Sequence, residues 1–126
     1  MFWIHGGSNI WGSGDFYDFS KLATTQQVIV ITVNYRLGLF GWFSSEHLRN
    51  TSTGLDKSSN FGQLDLIKGL EWVQQNISAF GGDKENVTIF GESAGGHNVL
   101  TLLASPLSKG LFLSLIHISE PTRLRS

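Results

Sequence analysis

The sequence predicts an α/β fold in which a mostly parallel sheet carries helices on both faces. Apolar runs of strand type lie at residues 1–5, 28–35 and 86–90, and segments with helical spacing follow the second and third of them. Strands that alternate with helices pair in parallel through right-handed crossovers. The chain has 126 residues and 40% of them are hydrophobic, which is enough for one domain with its own core.

The first two strands are indicated by their composition. "MFWIH" is an apolar run that ends at a glycine pair, so we interpret it as a strand entering a loop. "VIVITVNY", residues 28–35, is β-branched without alternation, as expected of a strand with both faces covered. Between them, we predict one helical turn near Asp18 to Ala23. The polar segment 44–60 is interpreted as a surface loop.

Two helices complete the pattern. Asn60 and Gln63 have the spacing of a loose capping box at the start of the first helix. Apolar residues then recur at helical spacing, at Leu64, Ile67, Leu70, Val73 and Ile77. "FGGD" ends this helix, "NVTIF" forms the next strand, and "HNVLTLLA" forms a second helix that ends near Pro106.

Charge and composition exclude several classes of partner and site. The formal net charge is -1 and no basic stripe is present, which argues against nucleic acid and acidic membrane surfaces as partners. The absence of cysteine excludes disulfides and thiolate metal sites. No run of about 18 apolar residues is present, so we predict no transmembrane segment.

Gly91-Glu92-Ser93-Ala94-Gly95 matches the pattern G-x-S-x-G. When this pattern joins a strand directly to a helix, the serine is forced into a strained turn that exposes its hydroxyl, and the glycines leave room for the close approach. The N–H of Ala94 would then point at a developing oxyanion. An ordinary tight turn remains the alternative for the pentapeptide alone.

A second glycine motif, "HGGS" at residues 5–8, also follows a strand. Oxyanion holes of one type combine the N–H after the nucleophile with N–H groups from such a loop. An ordinary Gly-Gly turn is again the alternative. Two such motifs, in this order and both at strand ends, favour the catalytic interpretation.

Together these blocks resemble the carboxylesterase/cholinesterase (type-B) family of α/β-hydrolases. The resemblance rests on "WIHGGSNIWGSG", "VIVITVNYRLGLFGWFS", "NFGQLDLIKGLEWVQQNISAFGGD" and "NVTIFGESAGG", in the family's order and spacing. It covers residues 2 to about 112. It implies an α/β-hydrolase fold, partial and truncated at both ends.

The resemblance also implies the site residues. Ser93 would be the nucleophile, and the N–H groups of Gly7, Ser8 and Ala94 would form the oxyanion hole. Ser8 stands where the family usually has a third glycine, so its side chain is expected to narrow the acyl pocket. The family's acidic residue and histidine follow much later in the chain, and no metal or cofactor is implied.

None of the nearby histidines is predicted to be the general base. His97 lies one helical turn beyond Ser93, so its side chain would point along the helix rather than over the hydroxyl. His5 precedes the loop that begins at Gly6, which we call the oxyanion loop, and is expected to make a structural hydrogen bond. His47 is expected to be solvated. Arg36 is interpreted as a structural ion-pair partner.

The last fourteen residues, "LSLIHISEPTRLRS", do not continue the family pattern. Their reverse translation over Leu113 to Arg123 resembles the transposase adapter of short-read sequencing libraries. We therefore predict that residues 1–112 are part of a hydrolase domain and that residues 113–126 are an artefactual tail. His117 and Glu120 are then no triad members, and Met1 is interpreted as an internal methionine.

The predicted function is hydrolysis of small carboxylic esters by the parent protein through a nucleophilic serine. The chain alone is expected to be inactive and not to fold stably, since strand edges and apolar helix faces would be uncovered. Two alternatives remain: a non-catalytic binding or adhesion relative, and a lipase, amidase or thioesterase of the same fold.

Overall fold

The computed structural model describes residues 1–119. Within this range the chain forms a parallel sheet, several α-helices and three short 3₁₀ segments. The strands are β1 (Phe2–Ile4), β2 (Ile31–Thr32), β3 (Thr88–Glu92) and β4 (Ser114–Ile118). The α-helices are α1 (Ser20–Gln26), α2 (Gly38–Trp42), α3 (Glu46–Thr51), α4 (Phe61–Asn76) and α5 (Ala94–Ala104). The 3₁₀ segments are Gly54–Ser58, Ile77–Phe80 and Pro106–Ser108.

The sheet has the strand order β2-β1-β3-β4, and every neighbouring pair is parallel. Trp3 on β1 lies opposite Thr32 on one side and Phe90 on the other. Helices connect the strands along the chain, as parallel pairing requires. The predicted α/β class is therefore confirmed.

The two faces of β1 pack against different groups of side chains, because successive side chains on a strand point to opposite sides. Phe2 and Ile4 lie in a buried cluster with side chains of α4 and α5, including Leu66, Leu70, Val99 and Leu102. On the opposite face, Trp3 packs at 4.8 Å from the ring of Phe90 and at 5.1 Å from that of Phe19. The main core thus lies between the sheet and the two long helices.

The strand predicted over residues 28–35 pairs over a much shorter length. Only Ile31 and Thr32 are paired, and both are partly or fully exposed. The reason is that β1, the only strand beside β2 in the described residues, is itself three residues long. The β-branched run therefore forms a half-covered edge rather than a strand buried on both faces.

The connecting segments contain more helical structure than the sequence predicts. The segment 44–60, predicted as a loop, contains α3 and a 3₁₀ turn. The side chain of Ser45 accepts a hydrogen bond from the N–H of Leu48 and so caps α3. The helical turn predicted near Asp18 to Ala23 begins two residues later and extends to Gln26.

Helix α4 has the buried stripe that its spacing predicts. Ile67, Leu70 and Val73 are buried, and the helix passes into the 3₁₀ segment Ile77–Phe80, which is capped by Gly81 with a φ of 82°. The predicted capping box is wrong, because Asn60 makes no side-chain cap. Gln63 is instead buried, and its Nε2 donates to the carbonyl oxygen of Asn98 at 3.4 Å.

Arg36 joins the segment after β2 to α4 by an ion pair with Asp65. Its Nε and Nη2 atoms donate to the two carboxylate oxygens, each at 2.8 Å, and its backbone N–H donates at 2.9 Å. Partial burial alone would raise the pKa of Asp65, but the hydrogen bonds and charge of Arg36 lower it overall. The structural role expected of Arg36 is thus observed.

Residues 114–118 occupy the edge of the sheet as β4. They pair with β3 over its whole length, and the carbonyl oxygen of Ile118 accepts a hydrogen bond from the N–H of Ser93 at 2.9 Å. That residues 113–126 are an artefactual tail stays a prediction, and Glu120 lies outside the described residues. No helix within residues 1–119 is long and apolar enough to cross a bilayer.

Candidate active site

Ser93 lies at the junction of a strand and a helix. Strand β3 ends at Glu92 and helix α5 begins at Ala94, so one residue makes the whole turn. Its backbone dihedrals are φ 56° and ψ −121°, a conformation that residues with a Cβ rarely adopt. The strained backbone expected at Ser93 is therefore observed, and the residue is exposed.

Glycines permit this turn because other backbone lies against them. A Cβ added at Gly95 would overlap the carbonyl oxygen of Ile4 and lie 2.7 Å from that of His5. A Cβ at Gly91 would lie 2.5 Å from the carbonyl oxygen of Gly95. The start of α5 is thus seated directly on the end of β1, which brings the two glycine motifs together.

The loop after β1 lies against the turn at Ser93. A Cβ added at Gly6 would be 2.8 Å from the carbonyl oxygen of Glu92 and 3.2 Å from the Cβ of Ser93. β1 and β3 are neighbouring parallel strands, so both motifs follow the same edge of the sheet. Ligand sites in open parallel sheets form at this carboxyl edge.

The backbone of the loop turns sharply after Gly6. Gly7, Ser8 and Asn9 all have positive φ, at 103°, 57° and 59°. The carbonyl oxygen of Gly7 accepts hydrogen bonds from the N–H groups of Ile10 and Trp11. The carbonyl of Gly7 is therefore engaged within its own loop.

Three N–H groups at this edge have no hydrogen-bond acceptor within residues 1–119. Among residues 1–119, the N–H groups of Gly7, Ser8 and Ala94 donate no hydrogen bond. Ala94 is the first residue of α5, where helical N–H groups have no partner within the helix and the helix dipole is positive. Where such N–H groups converge on one point, they can stabilise the negative charge that develops on a carbonyl oxygen.

No described histidine is hydrogen-bonded to the hydroxyl of Ser93. His97 is exposed, and its backbone N–H donates to the carbonyl oxygen of Ser93 at 3.1 Å. His47 is exposed on α3. His117 lies opposite Gly91 on β4, with its ring centroid 6.4 Å from that of His97. Within residues 1–119, no group of three or more acidic, histidine or cysteine side chains could hold a metal.

His5 is buried behind the loop, where it has a structural environment. Its ring stacks on Tyr35 at 4.5 Å, and its Nδ1 lies 2.7 Å from the carbonyl oxygen of Gly6. The hydroxyl of Tyr35 donates to the carbonyl oxygen of His5 at 2.6 Å. These contacts hold the backbone where β1 enters the loop. The structural hydrogen bond expected of His5 is therefore observed.

Tyr35 should make stability depend on alkaline pH. Burial raises the pKa of Tyr35 from 10.0 to about 12. The unfolded chain ionises this tyrosine near pH 10 and the folded protein resists ionisation. The stabilisation is therefore complete below pH 10 and is lost as the pH rises from 10 towards 12.

The measurement is the melting temperature of the full-length protein between pH 8 and 12, compared with its Tyr35→Phe variant. The advantage of the wild type over the variant should shrink above pH 10, since phenylalanine cannot ionise. A difference that stays constant up to pH 11.5 would contradict the assignment.

Sequence reasoning missed the polar residues that support the loop. Asn98 is buried on α5, and its Nδ2 donates to Oδ1 of Asn9 at 2.8 Å. The available signal was a polar residue in the apolar stripe formed by Ala94, Val99 and Leu102. A buried polar side chain on such a stripe requires a hydrogen-bond partner.

Comparisons with known proteins agree on one family. The model of the carboxylesterase family matches residues 1–122. The para-nitrobenzyl esterase of Bacillus subtilis (strain 168) is 51% identical over 125 residues, which are 98% of this chain and 24% of that protein. The cocaine esterase of Homo sapiens is 48% identical over 112 residues, which are 89% of this chain and 19% of that protein.

Solved structures show the same likeness. A thermophilic para-nitrobenzyl esterase superposes with a TM-score of 0.81 at 49% identity, over 90% of this chain and 23% of that chain. A carboxylesterase of Geobacillus stearothermophilus gives a TM-score of 0.79 at 44% identity, over 90% and 24%. The chain thus spans about a fifth to a quarter of the length of the relatives it resembles, and within that span it belongs to the carboxylesterase family.

Proposed function

We propose that this chain carries the nucleophile and the oxyanion hole of a serine esterase that hydrolyses small carboxylic esters. The observation that carries the proposal is the exposed Ser93 in a strained strand-to-helix turn, beside N–H groups that have no partner among residues 1–119. The names of the relatives support an ester as substrate, since they include a para-nitrobenzyl esterase and a cocaine esterase.

In the proposed reaction, Oγ of Ser93 attacks the carbonyl carbon of the ester. The carbonyl oxygen becomes an oxyanion, which accepts hydrogen bonds from the N–H groups of Gly7, Ser8 and Ala94. The serine proton passes to a general base and then to the leaving alcohol. Water hydrolyses the acyl-enzyme in a second round of the same steps.

The proposal places the general base in a part of the protein that this chain does not include. None of the histidines within residues 1–119 is hydrogen-bonded to the Ser93 hydroxyl, and β3, α5 and the loop after β1 supply only the nucleophile and the proposed oxyanion donors. We therefore expect the 126-residue chain alone to be inactive.

Ser8 distinguishes this oxyanion loop from one with three glycines. It is exposed and has a φ of 57°, a conformation that glycine would adopt without strain. Only its N–H is needed for the oxyanion hole, and its side chain would occupy space beside the acyl group. The proposal therefore includes a preference for esters with a small acyl group.

The test is covalent labelling of the full-length protein with a fluorophosphonate probe, which reacts with activated serines. The labelled peptide, identified by mass spectrometry, should contain Ser93. Ser93→Ala should abolish labelling, whereas Ser44→Ala, which changes an exposed serine between α2 and α3, should leave it intact.

An unlabelled but folded full-length protein would overturn the proposal in favour of a non-catalytic relative. Where Ser93 is labelled, turnover of matched esters, amides and thioesters then tests the substrate class. Faster hydrolysis of the amide or thioester than of the ester would contradict the esterase assignment. Faster hydrolysis of long-chain than of short-chain esters would contradict the role of Ser8.

A further inference from the structure

The oxyanion loop and the helix that follows the nucleophile are joined by one side-chain hydrogen bond. Nδ2 of Asn98 donates to Oδ1 of Asn9 at 2.8 Å, across 89 positions of sequence. Asn98 is only 4% exposed, so few water molecules can compete for its amide. No backbone hydrogen bond within residues 1–119 joins this loop to α5, so the side-chain bond is a direct link between them.

The other supports of the loop come from elsewhere in the fold. The hydroxyl of Tyr35 holds the carbonyl oxygen of His5 at 2.6 Å, and the N–H of Gly38 holds that of Asn9, also at 2.6 Å. Both donors lie between the end of β2 and the first residue of α2. Asn98 alone among these partners lies on α5, the helix that begins immediately after Ser93.

The position of Asn98 on α5 matters because it is four residues after Ala94. Residues at this spacing lie one turn apart on the same face of a helix. Ala94 and Asn98 therefore both face the oxyanion loop. Asn98 is itself held from the other side, since its carbonyl oxygen accepts from Nε2 of Gln63 on α4 at 3.4 Å.

The loop needs such a support because of its backbone conformation. Ser8 and Asn9 are consecutive residues with positive φ, and neither is a glycine. Conformations of this kind persist only where the surrounding structure over-determines them. Without the bond from Asn98, the loop would lose its side-chain link to α5, and the N–H of Ser8 could shift relative to that of Ala94.

We propose that Asn98 is a positioning residue that sets the spacing between the two halves of the oxyanion hole. Through Asn9 it holds the N–H groups of Gly7 and Ser8 at the distance from Ala94 that a tetrahedral intermediate requires. This inference rests on the proposed esterase function. It goes beyond that function because neither asparagine touches the substrate in the proposed reaction.

The test uses the full-length protein and the variant Asn98→Leu, which keeps the volume and removes the donor. The value of kcat for a short-chain ester should fall about tenfold, less than the 10²–10³ loss typical when a whole oxyanion donor is removed. KM should change less than about twofold, because the bond acts on the transition state rather than on ground-state binding. Binding of a trifluoromethyl ketone, which mimics the tetrahedral intermediate, should weaken by the same factor as kcat.

A conservative variant separates positioning from a merely structural role. Asn98→Gln keeps an uncharged amide donor for Oδ1 of Asn9, so its kcat should stay closer to wild type than that of Asn98→Leu. Asn9→Gly removes the acceptor without adding strain and should reproduce the kcat loss and weaker ketone binding. It also supplies the test where Asn98→Leu does not fold.

The outcomes distinguish this inference from the esterase proposal. Absence of fluorophosphonate labelling at Ser93 in the wild type overturns both. Where the wild type is labelled, an unchanged kcat in a folded Asn98→Leu or Asn9→Gly variant overturns the positioning role alone. A kcat loss without weaker binding of the ketone, or a loss in Asn98→Gln equal to that in Asn98→Leu, overturns it as well.

Discussion

Gly95→Ala is expected to destabilise the full-length protein by roughly 3 kcal/mol and to lower the proposed esterase activity sharply. The added Cβ would overlap the carbonyl oxygen of Ile4 and lie 2.7 Å from that of His5. Both obstacles are backbone atoms of buried residues at the end of β1, so no side-chain rotation relieves them. Helix α5 would have to move away from the sheet, and Ala94 with it.

Helix propensity and packing predict opposite changes in stability for this substitution. Gly95 lies within α5, where intrinsic helix propensity favours alanine over glycine by about 1 kcal/mol. Propensity alone thus predicts a more stable protein, whereas packing predicts a less stable one. The melting temperature, measured at one scan rate for wild type and variant, decides between them.

Gly69→Ala is the matched control, because Gly69 also lies within a helix, α4. Its added Cβ would be 3.0 Å from Cζ of Phe2, the far end of a ring rather than backbone. We expect a change in stability of about 1 kcal/mol or less, since the propensity gain offsets the tight contact. A Gly95→Ala variant as stable as Gly69→Ala would contradict the close backbone approach.

The features that sequence predicted correctly are those that depend on local chemistry. The glycines at 91 and 95 are needed because neighbouring backbone lies against them, so the motif itself contains the reason for the strained turn at Ser93. The buried stripe of α4 likewise follows from the 3.6-residue period. The pattern of a residue and its immediate neighbours was sufficient in both cases.

The extent of β2 could not be predicted from its own residues. Its β-branched run has the composition of a buried strand, yet only Ile31 and Thr32 pair. Pairing requires a neighbour of equal length, and β1 has three residues. The length of a strand is therefore a property of the sheet rather than of the segment.

The supports of the candidate site were beyond sequence reasoning for a related reason. Gln63 has the spacing of a capping residue, but its side chain is buried and its amide donates to the carbonyl oxygen of Asn98 instead. The bond between Asn98 and Asn9 joins residues 89 positions apart, and no local pattern links them. Sequence therefore identified the groups proposed to meet the substrate but not those that hold them in place.

Ser93→Ala should abolish ester hydrolysis by the full-length protein, with a loss of about 10⁵-fold or more, because the nucleophile itself is removed. Ser93→Gly should be equally inactive, since it lacks the same oxygen. The two variants should differ in stability. At φ 56° and ψ −121°, alanine retains the strain of serine, whereas glycine occupies a mirror-image β conformation without it.

We expect Ser93→Gly to be more stable than Ser93→Ala by about 1 kcal/mol, which is the relieved strain less the greater chain entropy of unfolded glycine. Hydrolysis rates of one ester and melting temperatures of the three proteins are the measurements. Both variants lack the hydroxyl, so their difference in stability reports the backbone alone. Retained activity in Ser93→Ala would refute the nucleophile, and a less stable Ser93→Gly would refute the strain. If both expectations hold, the conformation that exposes the attacking oxygen lowers the stability of the fold, and serine at this position serves the reaction rather than folding.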